Sequence, residues 1–240
     1  MVMSKNDPIG KATLDYLYKE LDREDEITVL CNVTEEDVIP VSYLFRTFDE
    51  MPESEQIALK ETRGKVLVIG AGAGCHSLWL EQKGLDVLSI DVSKGVVEAM
   101  KILGVKNIRE QDFFTLNELV QYDTILALMN GVGIAEDLQG LPRFISKIKT
   151  LLAPNGQFLT DSTDLTKLIE EEEQGYDYED DDYIGELEYK MIYRNHCSEW
   201  FKWLYIDANR FAEMAKENQM NLEVLTEDAG FNYLAKLTVL

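Results

Sequence analysis

Lys65 to Asp91 reads KVLVIGAGAGCHSLWLEQKGLDVLSID. The apolar run 66–69 has the length and continuity of a fully buried strand. Gly70, Gly72 and Gly74 follow, then a helical stretch carrying Leu78, Trp79 and Leu80, and Gly84 stands where a helix C-cap sits. A second apolar run, 85–90, ends on Asp91. The unit is strand, glycine loop, helix, strand. Its glycines let the backbone come close to a ligand where a Cβ would clash. The helix opening behind them offers unpaired N–H groups. A carboxylate at the tip of the second strand is placed to accept hydrogen bonds from ribose hydroxyls. The stretch therefore predicts a ligand that contains a nucleoside.

The same alternation continues on the C-terminal side. A helix is expected at 93–103 with Ser93 as N-cap, a strand at 107–110, a short helix at 115–121 and a buried strand at 123–129. An amphipathic helix follows at 138–152, and a strand at 157–160 that runs out at Asp161. Repeating β-α units imply a doubly wound, mostly parallel α/β sheet, with its ligand beyond the carboxyl ends of the strands. Gly70, Asp91, Asp112, Asn130 and Asp161 all fall at expected strand ends. After a helix at 162–173 the acidic stretch 170–183 reads as a solvated loop or as a cation-attracting rim. Beyond it, 186–194 and 200–206 alternate like an antiparallel hairpin, then come a helix at 207–219 capped by Asp207 and strands at 222–225 and 231–239.

Towards the N-terminus, helices are expected at 12–21 and 53–61, and 26–33 reads as a short strand or a buried turn. Residues 1–62 are too few for a core of their own. They read as a cap on a main domain spanning 63–240. Arg46, among Tyr43, Phe45 and Phe48, is either a surface arginine beside core aromatics or a cation that closes over a carboxylate in the ligand site.

The chain has 240 residues and 45% hydrophobic content, enough for one sizeable domain. No apolar run approaches the roughly 20 residues of a membrane span, and the opening residues carry no apolar signal-type run. The three cysteines, Cys31, Cys75 and Cys197, are scattered, which speaks against a disulfide framework or a metal site. A cytoplasmic location is the expectation. The net charge of −22 repels phosphate backbones, so nucleic acid is not an expected partner, and without a long apolar run neither is a membrane. A cationic or aromatic small molecule, or a basic protein side chain, is compatible with it.

At these residues the chain resembles the class I S-adenosylmethionine-dependent methyltransferases, their small bacterial members in particular. The resemblance covers about residues 40–240. VLVIGAGAG (66–74) is similar to the family's first motif, Asp91 in SIDVS to its ribose-binding acid, and Asp112-Phe113 to the pair that contacts the adenine. YDTILALMNG (122–131) resembles the fourth motif, and LLAPNGQFLTDS (151–162) the approach to strand five. The resemblance implies a seven-stranded sheet of order 3-2-1-4-5-7-6 with the last strand antiparallel, an N-terminal helical cap, and S-adenosylmethionine as cofactor. It implies cofactor contacts from Arg46, Gly70, Ala71, Gly72, Gly74, His76, Asp91, Val92, Asp112, Phe113, Met129 and Asn130. Val68 departs from the family pattern, which has an acid at that position.

No metal site and no strong catalytic base stand out. His196 and Asp161 are the candidates for proton transfer. His196 reads otherwise as an exposed turn histidine, and His76 as a histidine making local bonds at a helix start. Trp200, Trp203 and Tyr205 fit either a core or an apolar acceptor pocket. Methyl transfer to a small molecule is the expected activity. A nicotinamide-dependent oxidoreductase needs G-x-G-x-x-G, and the last glycine is replaced by Cys75. A non-catalytic nucleoside-binding module is the third possibility.

Overall fold

The computed structural model describes residues 6–18, 25–117, 119–167 and 183–240. The decisive stretch forms as expected. Strand Lys65–Ile69 (β3) leads through the glycine loop into helix Cys75–Gln82 (α3) and strand Asp86–Asp91 (β4). Helix Lys94–Leu103 (α4) follows, with Ser93 as its N-cap, then strands Ile108–Glu110 (β5) and Tyr122–Ala127 (β6). Helix Leu141–Leu151 (α5) precedes the long strand Leu152–Thr163 (β7). Near the C-terminus lie helix Ala208–Glu217 (α6) and strands Met220–Glu227 (β11) and Asn232–Val239 (β12). These strands form one seven-stranded sheet in the order β5-β4-β3-β6-β7-β12-β11. Counted from β3, that is 3-2-1-4-5-7-6. β12 runs antiparallel to β7, while β3, β4, β5, β6 and β7 are parallel.

Strand alternation divides the core between two faces. Val66 and Val68 face helix Glu53–Glu61 (α2), α3 and α4, packing with Leu59, Leu80 and Met100. Leu67 and Ile69 face α5 and α6, packing with Phe144, Ile148 and Phe211.

A second, antiparallel sheet covers the C-terminal edge. Strands Glu26–Cys31 (β1) and Asp37–Pro40 (β2) come from the N-terminal segment. Strands Glu186–Tyr193 (β8), His196–Cys197 (β9) and Phe201–Leu204 (β10) come from the late hairpin. The order is β10-β8-β1-β2, with β9 on β8. The expected hairpin is therefore present, and β1 pairs with it in register Val29↔Met191. Helix Pro8–Leu17 (α1) packs Ala12 against Ile27, Val41 and Tyr193 of this assembly.

Three expectations are corrected. The helix at 115–121 is a single 3-10 turn, Phe113–Thr115, because the Asp112 carboxylate takes the N–H groups of Phe114 and Thr115. The helix expected from 138 starts at Leu141, where Pro142 in the first turn suits a helix start. The first helix begins at Pro8, not residue 12, because Asp7 caps it. The acidic stretch falls almost wholly outside the described residues.

Candidate active site

The glycine loop is shaped by its φ angles: +62° at Gly70, +56° at Gly72 and +90° at Gly74. L side chains rarely adopt these. A Cβ at Gly72 would meet nothing within 4 Å, and at Gly70 only Ile134 at 3.6 Å. The loop thus presents bare backbone to open space. Gly74 is different, since a Cβ there would lie 2.9 Å from Val105 and 3.0 Å from Met100. Its role is packing.

Asp91 stands at the tip of β4. Its Oδ2 accepts the Gly72 N–H at 3.1 Å and its Oδ1 the Ser93 N–H at 2.9 Å. Burial pushes its carboxyl up to about 6, against the pull of those two N–H groups, and the charge of Asp7 adds to the rise. Asp7 arrives from α1. It accepts from Ser93 Oγ at 2.5 Å and from the Gly95 N–H at 3.2 Å, while its other oxygen caps α1 at Gly10. A Cβ on Gly95 would lie 2.5 Å from Gly10 backbone atoms, so α1 sits backbone to backbone on α4. The N-terminal segment is thereby fastened beside Asp91. Val92 is partly exposed between Asp91 and Ser93.

Across the crevice, β6 is followed by two consecutive non-glycine residues with positive φ, Met129 (+65°) and Asn130 (+54°). Such conformations cluster at functional sites. Asp161 of β7 holds both, accepting the Met129 N–H at 3.2 Å and the Asn130 N–H at 3.0 Å. Burial pushes the Asp161 carboxyl up to about 7, and the charge of Glu55 pushes the same way. The ordered set of strand-end residues thus converges on one edge. Asp112 caps the turn after β5 and Phe113 is buried beneath it.

Arg46 is neither at the surface nor free. It is 5% exposed and its Nη2 donates to both oxygens of Glu55, at 2.6 and 2.5 Å. Its Nη1 donates to the Tyr43 carbonyl at 2.7 Å, and its guanidinium stacks over the Tyr43 ring at 4.1 Å. His76, also buried, places Nε2 2.6 Å from Glu55 Oε2. Burial raises the Glu55 pKa, but the His76 and Arg46 contacts outweigh it and leave the carboxyl below its ordinary value. An ionised carboxylate only accepts, so His76 carries its proton on Nε2. Sequence reasoning missed Glu55. The signal was there: Glu55, Ala58 and Leu59 share one helix face, and all three are buried.

The small sheet supplies an aromatic wall. Tyr189 and Tyr205 meet through their hydroxyls at 3.3 Å, with Phe201 beside Tyr189 and Trp203 against Phe201. Trp203 packs on Gly133, where a Cβ would fall 2.2 Å from its Nε1. Burial raises the pKa values of both Tyr43 and Tyr205, and Asp161 is among the charges acting on each. Trp200 is exposed. His196 pairs with Tyr193 in β9, on the side where the small sheet meets α1. Among the described residues no helix is long and apolar enough to cross a membrane, and no cluster of His, Cys, Asp and Glu could hold a metal.

Residues 67–160 match a family described as a methyltransferase domain. No curated protein matches the chain. Among solved structures, a SAM-dependent methyltransferase from Bacteroides fragilis, in complex with S-adenosyl-L-homocysteine, is similar with 38% identity and a TM-score of 0.88. The alignment covers 100% of this chain and 99% of that one. The CcbJ methyltransferase from Streptomyces caelestis has 13% identity and a TM-score of 0.63, over 81% and 99% of the two chains. A sugar N-methyltransferase from Streptoalloteichus has 16% identity and a TM-score of 0.54, over 76% and 84%. The last two show the fold alone. With a glycine loop, a strand-end acid and full-length likeness at 38% identity in agreement, the chain belongs to the class I S-adenosylmethionine-dependent methyltransferases.

Proposed function

We propose that the chain methylates a small acceptor, cationic or aromatic and most simply an amine, held between the C-terminal edge of the large sheet and the aromatic wall of the small one. The observation that carries the acceptor side is Asp161, a strand-end carboxylate poised near neutrality and within electrostatic reach of Tyr43 and Tyr205. Residues 1–62 are read as the cap of a methyltransferase domain at 63–240.

The residues present suit the cofactor. It has a ribose, an amino-acid end and no phosphate, and the crevice offers Asp91, bare glycine backbone and a buried guanidinium in place of a phosphate clamp. S-adenosylmethionine supplies a methyl group already made electrophilic by its sulfonium. Asp91 accepts ribose hydroxyls, the backbone of Gly70, Ala71, Gly72 and Gly74 lets the ligand lie close, and Arg46 and His76 serve the amino-acid end. Val92, Asp112 and Phe113 border the base, and Met129 and Asn130 the acceptor side. The protein's work is alignment and exclusion of water. Asp161 takes the proton that an ammonium acceptor must lose before its lone pair can react. His196, beside Tyr193 and α1, is not needed for this.

Calorimetric titration with S-adenosylmethionine, S-adenosylhomocysteine and NAD tests the cofactor. The first two are expected to bind at about micromolar Kd and NAD not at all. Methyl transfer from labelled cofactor to benzylamine, phenol and benzoate tests the acceptor. Transfer to benzoate alone would overturn the amine reading, and binding of NAD alone the cofactor reading.

A further inference from the structure

The polar side chains behind Asn130 form a chain with one consistent set of donors. Asp228, in the turn between β11 and β12, accepts the backbone N–H groups of Gly230 at 2.8 Å and Asn232 at 3.0 Å. Asn232 Nδ2 donates to both Asp228 oxygens, each at 3.1 Å. A carboxylate only accepts, so the Asn232 amide cannot be turned over, and its Oδ1 faces Thr163. The buried Thr163 Oγ1, 2.7 Å away, therefore gives its proton to Asn232 Oδ1. A hydroxyl has one proton, so what Thr163 turns toward the Asn130 Oδ1 position, 3.3 Å away, is a lone pair. Two oxygens facing across that gap would repel. A half-turn of the Asn130 amide about its last torsion exchanges oxygen and nitrogen within the same outline. The Asn130 NH2 then donates to Thr163 Oγ1, and the amide oxygen takes the opposite end. Among the described residues no other group bonds the Asn130 side chain, which is partly exposed at the sheet edge. Asp161 and Thr163 share one face of β7, so this oxygen is an acceptor beside the Asp161 carboxylate.

We infer that Asn130 Oδ1 is a specificity-determining acceptor for one N–H of the substrate, with Thr163 and Asn232 as the positioning residues that hold it outward. The inference rests on the amine reading above and narrows it to primary and secondary amines. Their ammonium ions carry at least two N–H groups. One proton passes to Asp161, a second N–H donates to Asn130 Oδ1, and the freed lone pair attacks the methyl carbon. The N–C bond forms as the S–C bond of the cofactor breaks, and the electron pair of that bond stays on sulfur. The product ammonium keeps the N–H held by Asn130. A tertiary ammonium has a single N–H and satisfies only one of the two acceptors, so methylation stops at the tertiary amine. A phenol meets the same limit, and a carboxylate brings a hydrogen-bond donor to neither.

The test gives the full-length protein S-adenosylmethionine with benzylamine, N-methylbenzylamine or N,N-dimethylbenzylamine and reads the products by mass spectrometry. Wild type is expected to methylate the first two and leave the third. Thr163→Val keeps the outline of the side chain and frees the Asn130 amide to turn. It is expected to lower kcat/KM for N-methylbenzylamine about tenfold, with S-adenosylhomocysteine affinity by calorimetry unchanged. Thr163→Ser returns the hydroxyl and is expected to return the rate. The wild-type product series decides the matter by itself if the valine variant does not fold. Formation of the quaternary N,N,N-trimethylbenzylammonium ion would overturn the inference while the amine reading stood. So would an unchanged rate in Thr163→Val, or a rate and a cofactor affinity that fall in step. No transfer to any of the three amines would overturn both.

Discussion

The Asp161 carboxylate accepts the Asn130 N–H at 3.0 Å with one oxygen, and its other oxygen accepts the N–H of Met129. Two consecutive residues with φ above +50° are thus held by one side chain from the neighbouring strand. Asp161→Ala leaves two N–H groups unpaired beside a strained turn. It should cost about 2–4 kcal/mol of stability by urea unfolding and abolish methyl transfer. Cofactor affinity that dropped while transfer persisted would remove Asp161 from the acceptor side.

Asp91→Ala should weaken S-adenosylhomocysteine by about 1.5–3 kcal/mol, as for hydrogen bonds to a charged group. Its carboxyl titrates near 6, so affinity should rise with pH through that value and level off above it. Calorimetry from pH 5 to 8 checks this. Affinity that rises as pH falls would remove Asp91 from the ribose.

Stability without ligand should run the other way. Asp91 and Asp161 have folded-state values of about 6 and 7 against an ordinary 3.8. The native state therefore holds protons that the unfolded chain has already lost. The contribution is complete below pH 4 and disappears as pH rises through 6 to 7. Urea melts should show about 1–3 kcal/mol lost between pH 5 and 8, with a shallower slope in Asp161→Asn.

Two glycines of one loop should respond differently. Gly74→Ala drives a Cβ into Met100 and Val105 and should cost about 2–3 kcal/mol in unfolding free energy. Gly72→Ala meets open space and pays only for its φ, about 1 kcal/mol. Its new methyl group enters the ligand's place, so S-adenosylhomocysteine affinity should drop about tenfold.

Gly95→Ala should loosen α1, because the contact it would invade is Gly10 backbone, which cannot swing aside. A cost of about 2–3 kcal/mol is expected, together with faster proteolysis near the N-terminus. An unchanged proteolytic pattern would contradict the fastening of α1 through Gly10 and Asp7.

The β-α repeat was readable because each unit writes its own periodicity within a short window. Val66–Ile69, the glycines and Asp91 are neighbours in sequence before they are neighbours in space. The Arg46–Glu55–His76 network was half readable. Arg46 stood out among its aromatics, while Glu55 looked like one more charge on a polar helix. Val68 stands where the family pattern has an acid, and Glu55 brings a carboxylate to His76 from another helix. The pairing of β1 with β8 joins residues more than a hundred positions apart, and nothing local in either strand names its partner. The 3-10 turn at Phe113–Thr115 was missed because the Asp112 side chain competes with the backbone in a way that apolar spacing does not record.

The same ladder sets an order of assembly. β3 to β7 can pair as they leave the ribosome, over separations of about 20 to 60 residues. β1 has emerged by then, but it must wait for β8, some 160 residues later. Closing so long a loop is slow. The glycine-loop half of the large sheet can thus pair while the aromatic wall of the small sheet is still missing.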